Sequence, residues 1–173
     1  GNIQGAEEKF NRAIGLEPKF ALGHGGLALV SAEKKDFKSA NEQIDKGMVY
    51  AKTDKEKERL HIFWGRILSV ERKDKDWIED AVDHFNKAIE LNAESSEAYF
   101  YRGVSYKRAF KFTESSTDFK KVLELQKDFT KEADDEWKIV QKIERASPGT
   151  EVGAKIALID EISRGDIAAL FIQ

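Results

Sequence analysis

The chain contains no cysteine among its 173 residues. Disulfide bonds, thiolate nucleophiles and cysteine-ligated zinc are therefore excluded together. A chain without cysteine suits oxidising and reducing compartments equally, so the compartment stays open. No run of 18 apolar residues is present, and the chain does not open on a basic and then apolar leader. We therefore expect no membrane span, and we expect any export signal to lie outside this sequence.

Proline is also scarce, with 2 residues, whereas 35% of the residues are charged and 40% are hydrophobic. A chain rich in lysine, glutamate and aspartate and poor in proline favours helix. The formal net charge of -3 provides no basic footprint, so we expect no nucleic-acid partner. The length suffices for one sizeable core or one continuous stack of helices.

Two distant stretches of the chain are near-doubles. "AEEKFNRAIGLEP" begins at Ala6 and "AVDHFNKAIELN" begins at Ala81, with Ala, Phe, Asn, Ala, Ile and Leu at identical spacing 75 residues apart. A small residue followed four places later by a large apolar one recurs at Ala6/Phe10, Ala40/Ile44, Ala81/Phe85 and Ser115/Phe119. The steps between these pairs are 34, 41 and 34 residues, which indicates a repeated helical unit with one longer repeat.

A second motif precedes each of the last three pairs. The stretches "YFYRGVSY" from Tyr99, "HIFWGRIL" from His61 and, more weakly, "HGGLALVS" from His24 each open on a large ring and carry Gly or Ala at the fifth place. Together with the 34-residue period, the motifs resemble the tetratricopeptide repeat family over residues 1–129. The resemblance implies an all-α fold, a right-handed superhelical solenoid of helical hairpins with a C-terminal cap helix.

The repeat register divides the chain into segments. They are a half repeat with only its second helix at 1–20, repeats at 21–57, 58–95 and 96–129, a capping helix at 130–146, and a C-terminal segment at 151–173. The repeat at 58–95 has an elongated, charged turn. Because the chain opens on a second helix, we expect it to be part of a longer array. We also expect the uncovered apolar face of Ile3, Phe10 and Ile14 to permit self-association through the N-terminal end.

Some residues depart from the family pattern. Arg102 stands where Leu is usual and Ser115 where Ala is usual, so we expect looser packing without a change of topology. In the segment 130–146, Trp137 takes the register position that Gly65 and Gly103 fill in the repeats. Because an indole does not allow two helices to approach closely, we interpret this helix as a cap over the open apolar end of the stack.

The last segment differs from the repeats. "ISRGDIAALF", residues 162–171, is similar to the I-T-R-A-E-[FL]-A-x-L-[LF] signature of S-layer homology domains. Arg164 falls on the signature's Arg and Asp166 on its acidic residue, whereas Gly165 replaces the usual Ala. The resemblance implies that 151–173 begins a wall-binding module with Arg164 as a binding residue, and it favours the periplasm or cell envelope over the cytoplasm. The alternative is a short amphipathic helix packed on the cap.

No residue set predicts catalysis. His24 and His61 take the large-ring position of a first helix and are expected in the core, while His84 is expected at the surface, without a partner at metal-ligand spacing. The glycine cluster from Gly23 to Gly26 lacks the preceding strand that a phosphate loop requires. We therefore expect no enzyme, and no catalytic, cofactor-binding or metal-binding residue.

The curved inner surface, which the first helices line in such solenoids, is the expected binding surface. Arg66 and Arg108 come from adjacent first helices and are expected to meet at one wall, above an apolar floor. This arrangement fits a protein or peptide partner with acidic and apolar groups. The alternative is that Phe63 and Phe100 only pack between neighbouring helices. The predicted partner-binding residues of the concave groove are Arg59, Ile62, Phe63, Arg66, Phe100, Tyr101, Val104, Lys107 and Arg108.

Two functions follow from these expectations. The first is a non-enzymatic protein–protein interaction scaffold that binds a peptide or partner surface in the concave groove. The second is a structural cell-envelope module, in which the repeats act as spacer or assembly unit ahead of a wall-binding domain. The carboxylate clamp of chaperone-tail binders is not expected, because Gly25 and Leu29 stand where it needs Lys and Asn.

Overall fold

The computed structural model describes residues 2–146, and every regular element in that range is an α-helix. No strand occurs among these residues, so the predicted all-α class is confirmed for the described part of the chain. The helices of this range are α1 (Ile3–Leu16), α2 (Ala21–Glu33), α3 (Phe37–Tyr50), α4 (Asp54–Glu71), α5 (Trp77–Leu91), α6 (Ser96–Arg108), α7 (Phe112–Leu125) and α8 (Thr130–Ala146).

The helices pack as consecutive pairs. Helix α2 pairs with α3, α4 with α5, and α6 with α7, while α1 packs on α2 and α8 packs on α7. The first helices of the pairs also contact each other in succession, α2 with α4 and α4 with α6. We call α2, α4 and α6 the first-helix row, because this row forms the surface on which the candidate site lies.

Within each of the later pairs, an aromatic ring fills the space over a glycine. A Cβ atom placed on Gly65 would lie 2.7 Å from the ring of Phe85, and one on Gly103 would lie 2.8 Å from the ring of Phe119. Both rings are fully buried. The small residue therefore fixes how closely the two helices of a pair approach, as the repeat motif predicts.

The second pair is longer both in its first helix and in the charged turn that follows, residues 72–76, where the other two pairs have only 34–36 and 109–111. Helix α4 has 18 residues, whereas α2 and α6 have 13 each. It begins at a capping box, in which the Thr53 hydroxyl accepts from the Glu56 amide and the Glu56 carboxylate accepts from the Thr53 amide. The extra charged residues at the start of α4 thus extend a helix whose N-terminal backbone amides are hydrogen-bonded by the capping box.

Tight turns join the helices of each pair. They pass through Lys35, Arg72 and Phe110, which have φ angles of 62°, 44° and 59° and so lie in the left-handed region. After α6, the amide of Lys111 donates to the carbonyl of Tyr106 at 2.9 Å, which satisfies a carbonyl at the helix end. Each of these turns costs about 1 kcal/mol relative to glycine, because the side chain crowds the following carbonyl.

Helix α8 covers the apolar surface of the last pair. Its Val140 is fully buried in one cluster with Phe119 and Val122 of α7. The half-buried Trp137 packs against the same cluster and donates its indole Nε1–H to Ser116 Oγ at 3.0 Å. The indole thus contributes both apolar burial and a satisfied polar group.

Arg102 is the centre of a polar contact that ties three helices together. Its guanidinium donates twice to Asp118 of α7, at 2.8 and 2.7 Å, and also to the side-chain oxygen of Asn86 on α5. Asp118 is only 3% exposed, and burial raises the pKa of its carboxyl while Arg102 opposes that rise. The departure from Leu at position 102 therefore adds a specific charge pairing between α6 and α7.

We predict that Arg102→Leu lowers the free energy of unfolding by about 3 to 5 kcal/mol, because it leaves the buried Asp118 carboxylate unpaired. The double variant Arg102→Leu, Asp118→Ala removes both charges and is expected to recover a substantial part of that loss. Chemical denaturation of the wild type, both single variants and the double variant gives the coupling energy. If the losses in free energy of unfolding of the two single variants add up to the loss of the double variant, the pairing is contradicted.

Candidate functional site

A cavity of about 190 Å³ opens on the first-helix row where α2, α4 and α6 meet. Arg66 of α4 and Arg108 of α6 both line it, as do Tyr101 and Val104. The two arginines therefore belong to one cavity. The full lining consists of Leu29, Ala32, Glu33, Arg66, Ile67, Ser69, Val70, Tyr101, Val104, Ser105 and Arg108.

An aromatic ring orients the first of these arginines. The guanidinium carbon of Arg66 lies 4.2 Å from the centroid of the Tyr101 ring, a cation–π contact that leaves the edges of the guanidinium open to donate. Arg66 makes no ion pair with any of residues 2–146. Its hydrogen-bonding capacity is thus available at the cavity.

The second arginine, Arg108, lines the same cavity. Arg108 Nη1 lies 3.5 Å from the carbonyl oxygen of Ser69, and no ion pair to Arg108 forms within the described range. Partial burial lowers the pKa of Arg108, the positive charges of Arg72 and Arg66 act in the same direction, and Glu136 and the cavity residue Glu33 oppose them. The guanidinium remains charged at neutral pH, so an anion in this cavity would offset the repulsion between the arginines.

Two serine hydroxyls line the cavity, and sequence reasoning missed them. Ser69 Oγ and Ser105 Oγ lie 2.7 Å apart, and each also lies within hydrogen-bonding distance of a backbone carbonyl one turn earlier. Both residues are about 2% exposed. Nothing in their spacing marks them as neighbours, because the contact depends on how α4 and α6 cross.

The other two predicted cations of the groove are neutralised within the chain. Arg59 pairs with Glu97, and Lys107 pairs with Glu136 of α8. Burial raises the pKa of Glu97, an effect that Arg59 opposes first and Arg66 second. Because their charges are already partnered, Arg59 and Lys107 contribute less to an open binding surface than Arg66 and Arg108.

The predicted apolar residues divide into core and groove. Ile62 is 1% exposed, and Phe63 and Phe100 are 9% exposed, so these three side chains belong to the helix packing. Tyr101 and Val104 are half-buried and line the cavity. The expectation that Ile62, Phe63 and Phe100 form an open floor does not match their burial, since neighbouring helices already cover them.

The remaining predicted residue, Arg164, lies outside the described residues, as does the whole segment 151–173. Within residues 2–146, no helix is both long and apolar enough to cross a membrane. In the same range, no three side chains of the types His, Cys, Asp and Glu come together in a way that could hold a metal ion.

The histidines are packing residues in the described structure. His24 is 6% exposed, and its ring nitrogens lie 2.7 Å from Gln43 Oε1 and 3.0 Å from the Pro18 carbonyl oxygen. His84 is half-buried, stacked on Trp64 at 4.3 Å, with its Nδ1 3.0 Å from Nδ1 of His61. The prediction of a surface position for His84 is wrong, because α4 packs its rings against that side of α5.

The paired histidines have depressed pKa values. Burial, followed by the positive charges of His61 and Lys87, lowers the pKa of His84 to about 4, and Asp83 opposes this. Burial, followed by Lys87, also lowers the pKa of His61, against Asp83 and Glu90. A 3.0 Å contact between two Nδ1 atoms needs one donor and one acceptor. One proton therefore lies between the two neutral rings, and protonating the acceptor ring would set two donors against each other.

We predict that acid weakens the fold through this pair. A histidine whose pKa is lower in the folded state binds fewer protons than in the unfolded state, so its stabilising effect is full above pH 6.5 and is lost as the pH falls toward 4. After a discount for partial exposure, the loss between pH 7 and pH 5 is about 1 to 2 kcal/mol.

Urea denaturation at both pH values measures this loss, and His84→Phe is the matched variant because it keeps a ring on Trp64. We expect His84→Phe to lose clearly less stability between pH 7 and pH 5 than the wild type. Equal losses in the two proteins would show that the pair does not control the acid response.

Comparison with family models and with curated proteins gives no family for the chain. No protein-family model matches the chain. No curated protein matches it at a significant level.

Proposed function

We propose that the chain is a non-enzymatic interaction scaffold that binds a peptide or partner surface at the cavity between α2, α4 and α6. We also propose that its paired helices are tetratricopeptide-like hairpins arranged as a right-handed superhelical solenoid. The repeat period and the glycine-to-ring packing at Gly65 and Gly103 support this arrangement. In such an array the first-helix row faces the concave side.

The single observation that carries the binding proposal is that, among residues 2–146, neither Arg66 nor Arg108 has an ion-pair partner. Arg66 and Arg108 line one cavity, while Arg59 and Lys107 on the same row are paired with acidic residues. A guanidinium presents a planar fork of donors that matches a carboxylate. A partner that offers an aspartate, a glutamate or a terminal carboxylate would therefore satisfy both arginines.

The cavity also favours a ligand that carries an apolar side chain beside its carboxylate. Leu29, Val70 and Val104 line it beside the Tyr101 ring, so an apolar side chain next to the carboxylate would be removed from water there. A volume of about 190 Å³ is below the usual range of small-molecule sites and suits one side chain of a peptide. The favoured ligand is thus an acidic peptide segment with one apolar anchor.

The cell-envelope alternative rests on the resemblance of residues 162–171 to the S-layer signature. Those residues are outside the described structure. The arginines and the apolar cavity favour the scaffold, and the two roles are compatible in one protein.

Selection from a random peptide library displayed on phage tests the proposal. We expect peptides selected on the wild type to be enriched in Asp or Glu within a few residues of Leu, Phe or Tyr. Their binding is expected to weaken with salt, because the contact is charged and partly exposed. In the double variant Arg66→Glu, Arg108→Glu we expect affinity to fall by about 1 to 3 kcal/mol for each desolvated contact that is lost.

A charge-matched control separates this effect from net charge. Arg12→Glu, Lys46→Glu changes the total charge equally at two exposed positions outside the cavity, and it is expected to bind the selected peptides as the wild type does. Thermal melts confirm that each variant is folded. Selection without acidic enrichment, or equal binding by both double variants, would contradict the proposal.

A further inference from the structure

Helices α1 and α5 are near-doubles in sequence but differ in burial. Ala81, Phe85 and Ala88 of α5 are 0% exposed. Their counterparts Ala6, Phe10 and Ala13 of α1 are only half-buried. The difference arises because α4 packs along α5, whereas within residues 2–146 no helix occupies the corresponding place along α1.

A second cavity marks that place. It measures about 320 Å³ and lies between α1 and α2, lined by Asn2, Ile3, Ala6, Phe10, Gly26, Leu29, Val30, Glu33 and Arg66. Ile3 is 41% exposed there. Most of the residues that line this cavity are apolar and only Glu33 and Arg66 are charged, a composition that suits an amphipathic helix.

The α4–α5 interface indicates which residue types such a helix would need. On α5, Phe85 inserts against Gly65 of α4, and a Cβ atom on that glycine would lie 2.7 Å from the ring. Phe10 holds the position of Phe85 in α1. In the chain itself the Phe10 ring lies over Gly26 of α2, where an added Cβ atom would be 2.3 Å from it. A helix that covers α1 as α4 covers α5 must therefore offer a small residue toward which this ring can turn, flanked by large apolar residues.

We propose that this end face, formed by Ile3, Ala6 and Phe10 of α1 with Gly26 and Leu29 of α2, binds an amphipathic partner helix with the residue pattern of α4. The first-helix row would then continue by one more helix, because such a helix also contacts α2 as α2 contacts α4. This end face adjoins the arginine cavity, since Leu29, Glu33 and Arg66 line both, but the inference rests on α1 and does not depend on the proposed peptide ligand.

A labelled peptide with the sequence of residues 53–72, which includes all of α4, is the probe. We expect it to bind the full chain saturably in fluorescence anisotropy. Ile3→Asp is expected to weaken binding by about tenfold or more, because a carboxylate is then buried against an apolar helix. An acidic residue in the first turn suits the helix dipole, so this variant is expected to remain folded, as a thermal melt will verify.

Two controls make the test specific. Leu16→Asp changes an equally apolar residue of the same helix that is 81% exposed and outside the cavity, and it is expected to bind the peptide normally. The peptide variant Gly65→Leu is expected to bind at least about tenfold more weakly, although leucine raises its helix propensity, because its side chain occupies the space that Phe10 needs.

Several results would overturn the proposal. Absence of saturable binding would do so, as would equal binding by the Ile3→Asp chain or by the Gly65→Leu peptide. Sedimentation gives a further check. If the wild-type chain dimerises, Ile3→Asp abolishes the dimer and the peptide does not bind, the face belongs to a second copy and the partner-helix proposal is wrong.

Discussion

The packing of an aromatic ring over a glycine is the contact on which this architecture depends. Phe85 over Gly65 and Phe119 over Gly103 set the distance between the helices of two pairs. Both rings are fully buried, so each contributes several kcal/mol of apolar burial. Because the contact lies inside each pair, it also fixes which side of α4 and α6 packs on the second helix and which side forms the surface of the first-helix row. The candidate cavity is a consequence of that orientation.

Ion pairs within the chain determine which cations of the first-helix row are open for binding. Arg59 and Lys107 have acidic partners on neighbouring helices, and Arg102 is committed to the buried Asp118. Arg66 and Arg108 instead point their charges at a common cavity beside Tyr101. Among the described residues, the two cations of the predicted groove that have no ion-pair partner thus meet at one cavity, which Glu33 also lines.

Much of the fold could be predicted because the repeat period and the small-to-large spacing are local properties of the sequence. The meeting of Arg66 and Arg108 could also be predicted, since both occupy first helices that the register places side by side. The turns through Lys35 and Phe110 could not be predicted, because no glycine marks their left-handed residues. The positions of His84 and Ile62 were misjudged for a related reason. Register locates a side chain on its own helix, but the crossing of the neighbouring helix determines whether that side chain is covered.

The most direct test of the central packing claim is a double-mutant cycle between Gly65 and Phe85. In an exposed helix, Gly→Ala stabilises by about 1 kcal/mol through helix propensity. Here the new methyl group meets a buried ring, so we predict that Gly65→Ala instead destabilises the chain by about 1 to 3 kcal/mol. In the Phe85→Leu background the same change is predicted to be neutral or stabilising. Gly65→Ala that stabilises the wild type, with no dependence on the residue at position 85, would contradict the account.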